Sequence, residues 1–151
     1  MADLRNLSKK ELLDTFDKFW LAIDFRIEHF KIATKDDAYD WNFSLQSLNQ
    51  LEDFILKNNI DENHALYDDI ASYIGEVVRR NYGGQWECCL DKKENSMLYG
   101  WPVIAGWNKY EVLFCPYESL RLFLFRKEKG MLLHNIEIVI NPPNFEEIPV
   151  E

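Results

Sequence analysis

Residues 73–86 read Tyr73-Ile74-Gly75-Glu76-Val77-Val78-Arg79-Arg80-Asn81-Tyr82-Gly83-Gly84-Gln85-Trp86. With Ala65, Leu66 and Ile70 before them, Tyr73, Ile74, Val77 and Val78 recur at steps of three and four, the spacing of one helix face. Arg79 and Arg80 fall in the last turn, where cations offset the negative end of the helix dipole. Gly83 is placed to stop the helix in a left-handed conformation. Gln85 and Trp86 then open a strand, so the chain turns here from helical to strand-rich. Gly75 lies inside the helix, where it costs about 1 kcal/mol relative to Ala. Close approach of another backbone, or of a bulky side chain such as a tryptophan ring, is the expected compensation.

Upstream, Ser8 and Glu11 have the spacing of a capping box, with Leu7 and Leu12 as its hydrophobic staple. Leu12, Leu13, Phe16, Phe19, Trp20, Ile23, Ile27 and Phe30 follow helical spacing as far as Ile32 or Ala33. So wide a stripe predicts a largely buried helix. A second helix is expected from Asp36 or Asp37 to Asn58, through Trp41, Leu45, Leu48, Leu51, Phe54 and Ile55. Asp61 is expected to open the third.

Downstream, strands are predicted over 85–91, 96–104, 109–115 and 136–140, with Pro102 marking an edge or a bulge. Pro116 suits the first position of a short helix running from Tyr117 to about Lys127, with Gly130 beyond its end. Helices first and strands second predict an α+β fold: a layer of three N-terminal helices on a mostly antiparallel sheet of about four strands, with one further short helix. A single domain is expected over 1–151, because neither the helical part (8–82) nor the strand-rich part (85–141) is long enough for a comfortable core. The acidic tail, 142–151, reads as loose.

The chain carries a net charge of −9. Residues 1–82 hold 10 basic and 16 acidic residues, and the remainder 7 and 10. This sign repels phosphate backbones and argues against nucleic acid as a partner, while suiting a basic protein partner. The charged segment after Met1-Ala2-Asp3-Leu4-Arg5 predicts no signal peptide. No apolar run approaches the roughly 20 residues of a membrane span. Three cysteines, two of them adjacent (Cys88 and Cys89), make no disulfide framework and fit a reducing cytoplasm.

No motif for cofactor, metal or catalysis is found. Adjacent residues of a strand point to opposite faces, so Cys88 and Cys89 cannot easily grip one ion. Gly83-Gly84 follows a helix, whereas a phosphate-cradling loop follows a strand. Asp68 and Asp69 read as solvated. Cys115 before Pro116 can sit at a helix N-terminus, which lowers a thiol pKa; the alternative is a small buried residue. An enzyme would need two of Glu76, His64 and Cys115 within hydrogen-bond reach; the histidines are scattered, His29 late in the first helix, His64 at the start of the third and His134 in a loop. Glu76 and Arg80, at i and i+4, form the pair of greatest interest, either as a surface ion pair or as a hub joining helix and sheet. Arg79 is expected nearer the outside.

The stretch from Tyr73 to Trp86 resembles a motif of small, mostly uncharacterised bacterial proteins, in which Tyr-x-Gly-Glu-x-x-Arg-Arg ends in Gly-Gly-x-Trp and enters a sheet. Pro116-Tyr117 and Gly130 echo the same pattern. Such proteins include immunity proteins of bacterial toxin systems. The resemblance implies an α+β domain and transfers no active site; together with the missing catalytic constellation, the acidic charge and the small single domain, it leads to the expectation of a non-enzymatic cytoplasmic binding protein. The binding candidates are Glu76, Arg80, Trp86, Tyr99, Trp101 and Trp107. The competing expectation is an apolar small-molecule pocket lined by Trp86, Trp101 and Trp107.

Overall fold

The computed structural model describes residues 4–35, 38–106 and 112–140. The fold is α+β, with five helices and an antiparallel pair of strands among these residues. Helix α1 (Lys9–Ala33) begins at the expected capping box: Glu11 N–H donates to Ser8 Oγ (3.2 Å) and Ser8 N–H to Glu11 Oε1 (3.0 Å). Leu7 packs on the small cluster of Leu4, Leu12 and Tyr99. Helix α2 (Ser47–Lys57) starts later than Asp36 or Asp37, both of which lie outside the described residues. Phe43 adopts a positive φ of 62°, which no helix accepts, and Ser44 supplies the start instead by accepting Ser47 N–H on Oγ (3.1 Å).

Helix α3 (Tyr67–Tyr82) also starts later than expected. Asp61 forms a local turn with Asn63 N–H (2.9 Å), and His64 Nδ1 accepts Leu66 N–H (3.0 Å). The Leu66 N–H, which a helix opening at Asp61 would give to the carbonyl four residues back, goes to the His64 ring instead. Gly83 ends α3 at φ +92°. Strand β1 (Gln85–Cys88) pairs with β2 (Pro102–Ala105), Trp86 standing opposite Ile104.

The expected sheet of about four strands is corrected to two among the described residues. Ser96–Leu98 forms a 3-10 turn, and Gly100 turns the chain at φ +85°. A Cβ there would lie 2.9 Å from Leu12, so the position is closed to side chains. Of the 109–115 segment, Phe114 alone is bridged to Ile104 among the described residues. Helix α4 (Pro116–Arg126) starts on Pro116.

Residues 136–140, expected as a strand, belong to helix α5 (Met131–Ile140), as does His134. Leu132 and Ile136 bury one helical face, which β-branched composition had disguised as strand. The start of α5 is completed from afar. Glu52, in α2 and 2% exposed, accepts Gly130 N–H (2.7 Å) and Leu132 N–H (3.0 Å). An acidic side chain from another helix thus satisfies donors that no local residue reaches.

The core runs between α1, α3, α4 and the strands. Tyr73 is fully buried at its centre among Phe30, Trp41 and Phe43, with ring centroids 5.1–5.9 Å away. Its hydroxyl accepts Phe43 N–H (3.1 Å) and bonds Ser47 Oγ (2.7 Å), tying the 38–46 loop to α3. Ring pairs of this kind add about 0.5–1.5 kcal/mol each beyond the area they bury.

Candidate functional site

Two neighbourhoods carry the chemistry-bearing side chains. The first lies where α3 hands the chain to β1. Trp86 buries its indole beside Gly75, where a Cβ would stand 2.1 Å from Cη2, and meets the Phe19 ring at 5.2 Å. The tryptophan expected to explain Gly75 is therefore present. The Trp86 Nε1–H donates to Glu76 Oε2 (3.0 Å). Arg79, and not Arg80, grips Glu76 with two bonds, Nε to Oε2 (2.6 Å) and Nη2 to Oε1 (2.9 Å).

Arg79 was expected outside, so the roles of the two arginines are exchanged. Arg80 stays 3.6 Å from Oε1 and lays its guanidinium over the Phe43 ring, 3.7 Å from the centroid. That cation–π contact draws it toward the loop. Glu76 is only 3% exposed. Burial pushes its carboxyl up, but the bonds from Arg79 and Trp86 and the charges of Arg79 and Arg80 outweigh this, and it lies below the ordinary carboxylate value. An ionised, fully engaged carboxylate is a poor proton acceptor; the hub fixes Trp86 against α3.

Beside the hub, α1 and β1 border a groove of about 900 Å³. Leu13 and Trp20 stand on its α1 wall, 38% and 54% exposed, with Asp17 and Asp24 among them. Leu21 also borders the groove, Phe25 and Ile32 lie farther round the helix, and all three are more than 70% exposed. The expectation of a largely buried α1 is thus corrected. One face packs on α3 and β1, and the other shows large apolar side chains interleaved with acids.

The second neighbourhood is a cleft of about 490 Å³ at the starts of α3 and α4. Tyr67, Trp101 and Tyr117 line it, with the Tyr117 ring 5.9 Å from Tyr67 and 5.2 Å from Trp101. The Tyr117 hydroxyl donates to Asp68 Oδ1 (2.6 Å), and burial and that carboxylate hold it well above the ordinary phenol value. Tyr67 is pushed up to about 12, first by burial and then by Glu62 and Asp68. Asp68 is therefore not free in solvent, and Asp69 is buried against His29 Nδ1 (2.6 Å), which corrects the expectation that both were solvated.

Cys115 does precede the first turn of α4, but burial pushes its thiol up to about 12 instead of lowering it. It is an inert core residue. Among the described residues no hydrogen bond joins Glu76, His64 and Cys115, and no group of three or more His, Cys, Asp or Glu is placed to hold a metal ion. Tyr99 packs with Leu4 and Leu12, away from the hub, under the Lys92 ammonium (4.7 Å). Trp101 reaches the cleft, not the Trp86 hub, and Trp107 lies outside the described residues. The roles of Arg79, Asp68 and Tyr117 escaped the sequence reading. The doublet Asp68-Asp69 gave no signal of its bonds to Tyr117 and His29, which lie 49 and 40 positions away in sequence.

No helix among the described residues is long and apolar enough to cross a membrane. No family model, curated protein or solved structure matches the chain significantly.

Proposed function

We propose that this chain is a non-enzymatic cytoplasmic binding protein whose partner is a basic protein, with an immunity-type inhibitor of a toxin as the role favoured by the motif around Gly75 and Glu76. The observation that carries this reading is the outer face of α1. Trp20, Leu21, Phe25 and Ile32 are exposed there beside Asp17, Asp24 and Glu28. Aromatic anchors supply the affinity of such a surface, and surrounding charge steers the encounter. The net charge of −9 has the sign that attracts a cationic partner. Neither neighbourhood described above presents a poised nucleophile or base.

Co-expression with the products of neighbouring genes, followed by co-purification, tests the reading. The expected result is a stoichiometric complex with a basic protein, whose association slows as salt rises. Absence of any such partner overturns it.

A second reading is favoured by the aromatic cleft. Its volume of about 490 Å³ falls within the ~300–1,000 Å³ of small-molecule sites, and Trp101 is one of its walls. A thermal-shift screen of small organic molecules tests it: a hit that loses its effect in Trp101→Ala supports the cleft, and a screen without hits removes it.

A further inference from the structure

The groove between α1 and β1 combines three features that are independent of one another. The first is an open strand edge. Strand β1 has one neighbour, β2, among the described residues. In an antiparallel pair alternate residues turn their N–H and C=O groups to the partner, and the others point away from it. Side chains of consecutive strand residues lie on opposite faces. Yet Gly84, Gln85, Trp86, Glu87 and Cys88 all border this one groove. Lining by five consecutive residues, whose side chains alternate between faces, fits a groove that follows the edge of the strand.

The second is the facing wall, where Leu13 and Trp20 present apolar surface to the groove. The third is charge. Asp17, Asp24, Glu76 and Glu87 line the groove against a single guanidinium, Arg79, and that one is held by Glu76 at 2.6 Å. The C-terminal end of α3 opens into the same place through Gly84 and adds partial negative charge.

We infer that this groove receives an extended, basic segment of a protein partner, which adds to the free edge of β1 as a further strand. The inference rests on the binding-protein reading and gives it a surface. A helical ligand satisfies its own backbone and would cover the outward donors and acceptors of β1 without pairing them, at a cost. An extended segment pairs them, as in strand addition elsewhere. Alternate side chains of that segment then face α1, where Leu13 and Trp20 receive apolar groups and Asp17 and Asp24 receive lysine or arginine, while the intervening side chains share the opposite face with Glu87. An acidic or phosphorylated segment meets like charge. The four residues of β1 span about 13 Å, so a core of four to six residues is the length accommodated.

The test uses the full chain and a displayed library of random twelve-residue peptides. Enrichment of basic sequences that carry Lys or Arg together with apolar residues at alternate positions, those of one strand face, is expected. A synthetic peptide from that set is expected to shift the backbone amide resonances of Trp86 and Cys88. Trp20→Ala, and separately Asp17→Asn with Asp24→Asn, should each weaken it about tenfold, the effect of losing one anchor or a close charge pair. These side chains are exposed, so the variants keep their fold, which an unchanged thermal midpoint verifies.

Enrichment of acidic or helix-patterned peptides, no enrichment, or binding indifferent to these substitutions overturns the inference. The same substitutions placed in a co-purified native complex separate the two readings. A complex that survives them sinks the groove and spares the binding protein; a chain that captures no partner sinks the binding protein itself.

Discussion

The indole of Trp86 fills the space that a side chain at position 75 would need: a Cβ on Gly75 would lie 2.1 Å from Cη2 and 2.2 Å from Cζ2. The ring cannot retreat, because Phe19 packs on it at 5.2 Å and Glu76 holds its N–H at 3.0 Å. Gly75→Ala therefore gains about 1 kcal/mol of helix propensity and meets an overpacking cost of about 1–3 kcal/mol or more. Net destabilisation is expected by chemical denaturation. In a Trp86→Leu background the same substitution should turn neutral or stabilising; equal costs in both backgrounds would show that the indole is not the obstacle.

Glu76 makes acid stability sensitive to one carboxylate. Its folded pKa lies below the ordinary 4.5. The stability it contributes is then present above about pH 4.5 and is lost as pH falls through the lower folded value. Glu76→Gln should cost about 1.5–3 kcal/mol at neutral pH, the range for hydrogen bonds to a charged group. It should also flatten the acid limb of a denaturation profile measured from pH 7 to 3. A parallel profile in the variant would locate the acid sensitivity elsewhere.

The alkaline side is set by protonated, buried groups. Cys115 is raised from 9.0 to about 12 and Tyr67 from 10.0 to about 12, burial being the main cause in each. Unfolding frees both to ionise at their ordinary values. Stability is thus complete below about pH 9 and declines as pH rises toward about 12. Urea midpoints between pH 8 and 11 should fall, and Cys115→Ala should shallow the first part of that fall. A level profile would contradict the burial of these two groups.

Glu52→Ala leaves the N–H groups of Gly130 and Leu132, the second of them buried, without their acceptor. A loss of about 1–3 kcal/mol is expected, the range for one buried group left unsatisfied, since water can reach Gly130. Hydrogen exchange should quicken first in α5, before α1 or α3. Uniform acceleration would mean that Glu52 supports the whole core and not the start of one helix.

Features fixed by near neighbours were legible in the sequence. The Ser8–Glu11 capping box, the Gly83 stop, the Pro116 start and the slot at Gly75 all follow from local chemistry or from a residue that breaks a local rule. Features fixed by distant partners were not. The first turn of α5 is completed by Glu52, 78 positions before Gly130, so its Ile- and Val-rich segment looked like a strand. Arg79 and Arg80 share one helical turn, and groups remote in sequence, the Phe43 ring under Arg80 and the Asp24 charge near Arg79, separate their roles. The candidate site was legible in pieces. Glu76 and Trp86 come together as a hub, whereas Tyr99 and Trp101 belong to other neighbourhoods. The open face of α1 was hidden by the width of its apolar stripe, which serves two surfaces and not one.

The bond between Glu52 and the start of α5 also bears on how the molecule can be cut. A nick at exposed Gly83 would leave the downstream piece with an unfinished last helix, and with an indole deprived of its slot. The upstream piece would keep a buried carboxylate with nothing to receive. Each fragment holds the missing part of the other, so bisection at that glycine should yield a pair that regains structure only by reassembly, the behaviour wanted of a split reporter.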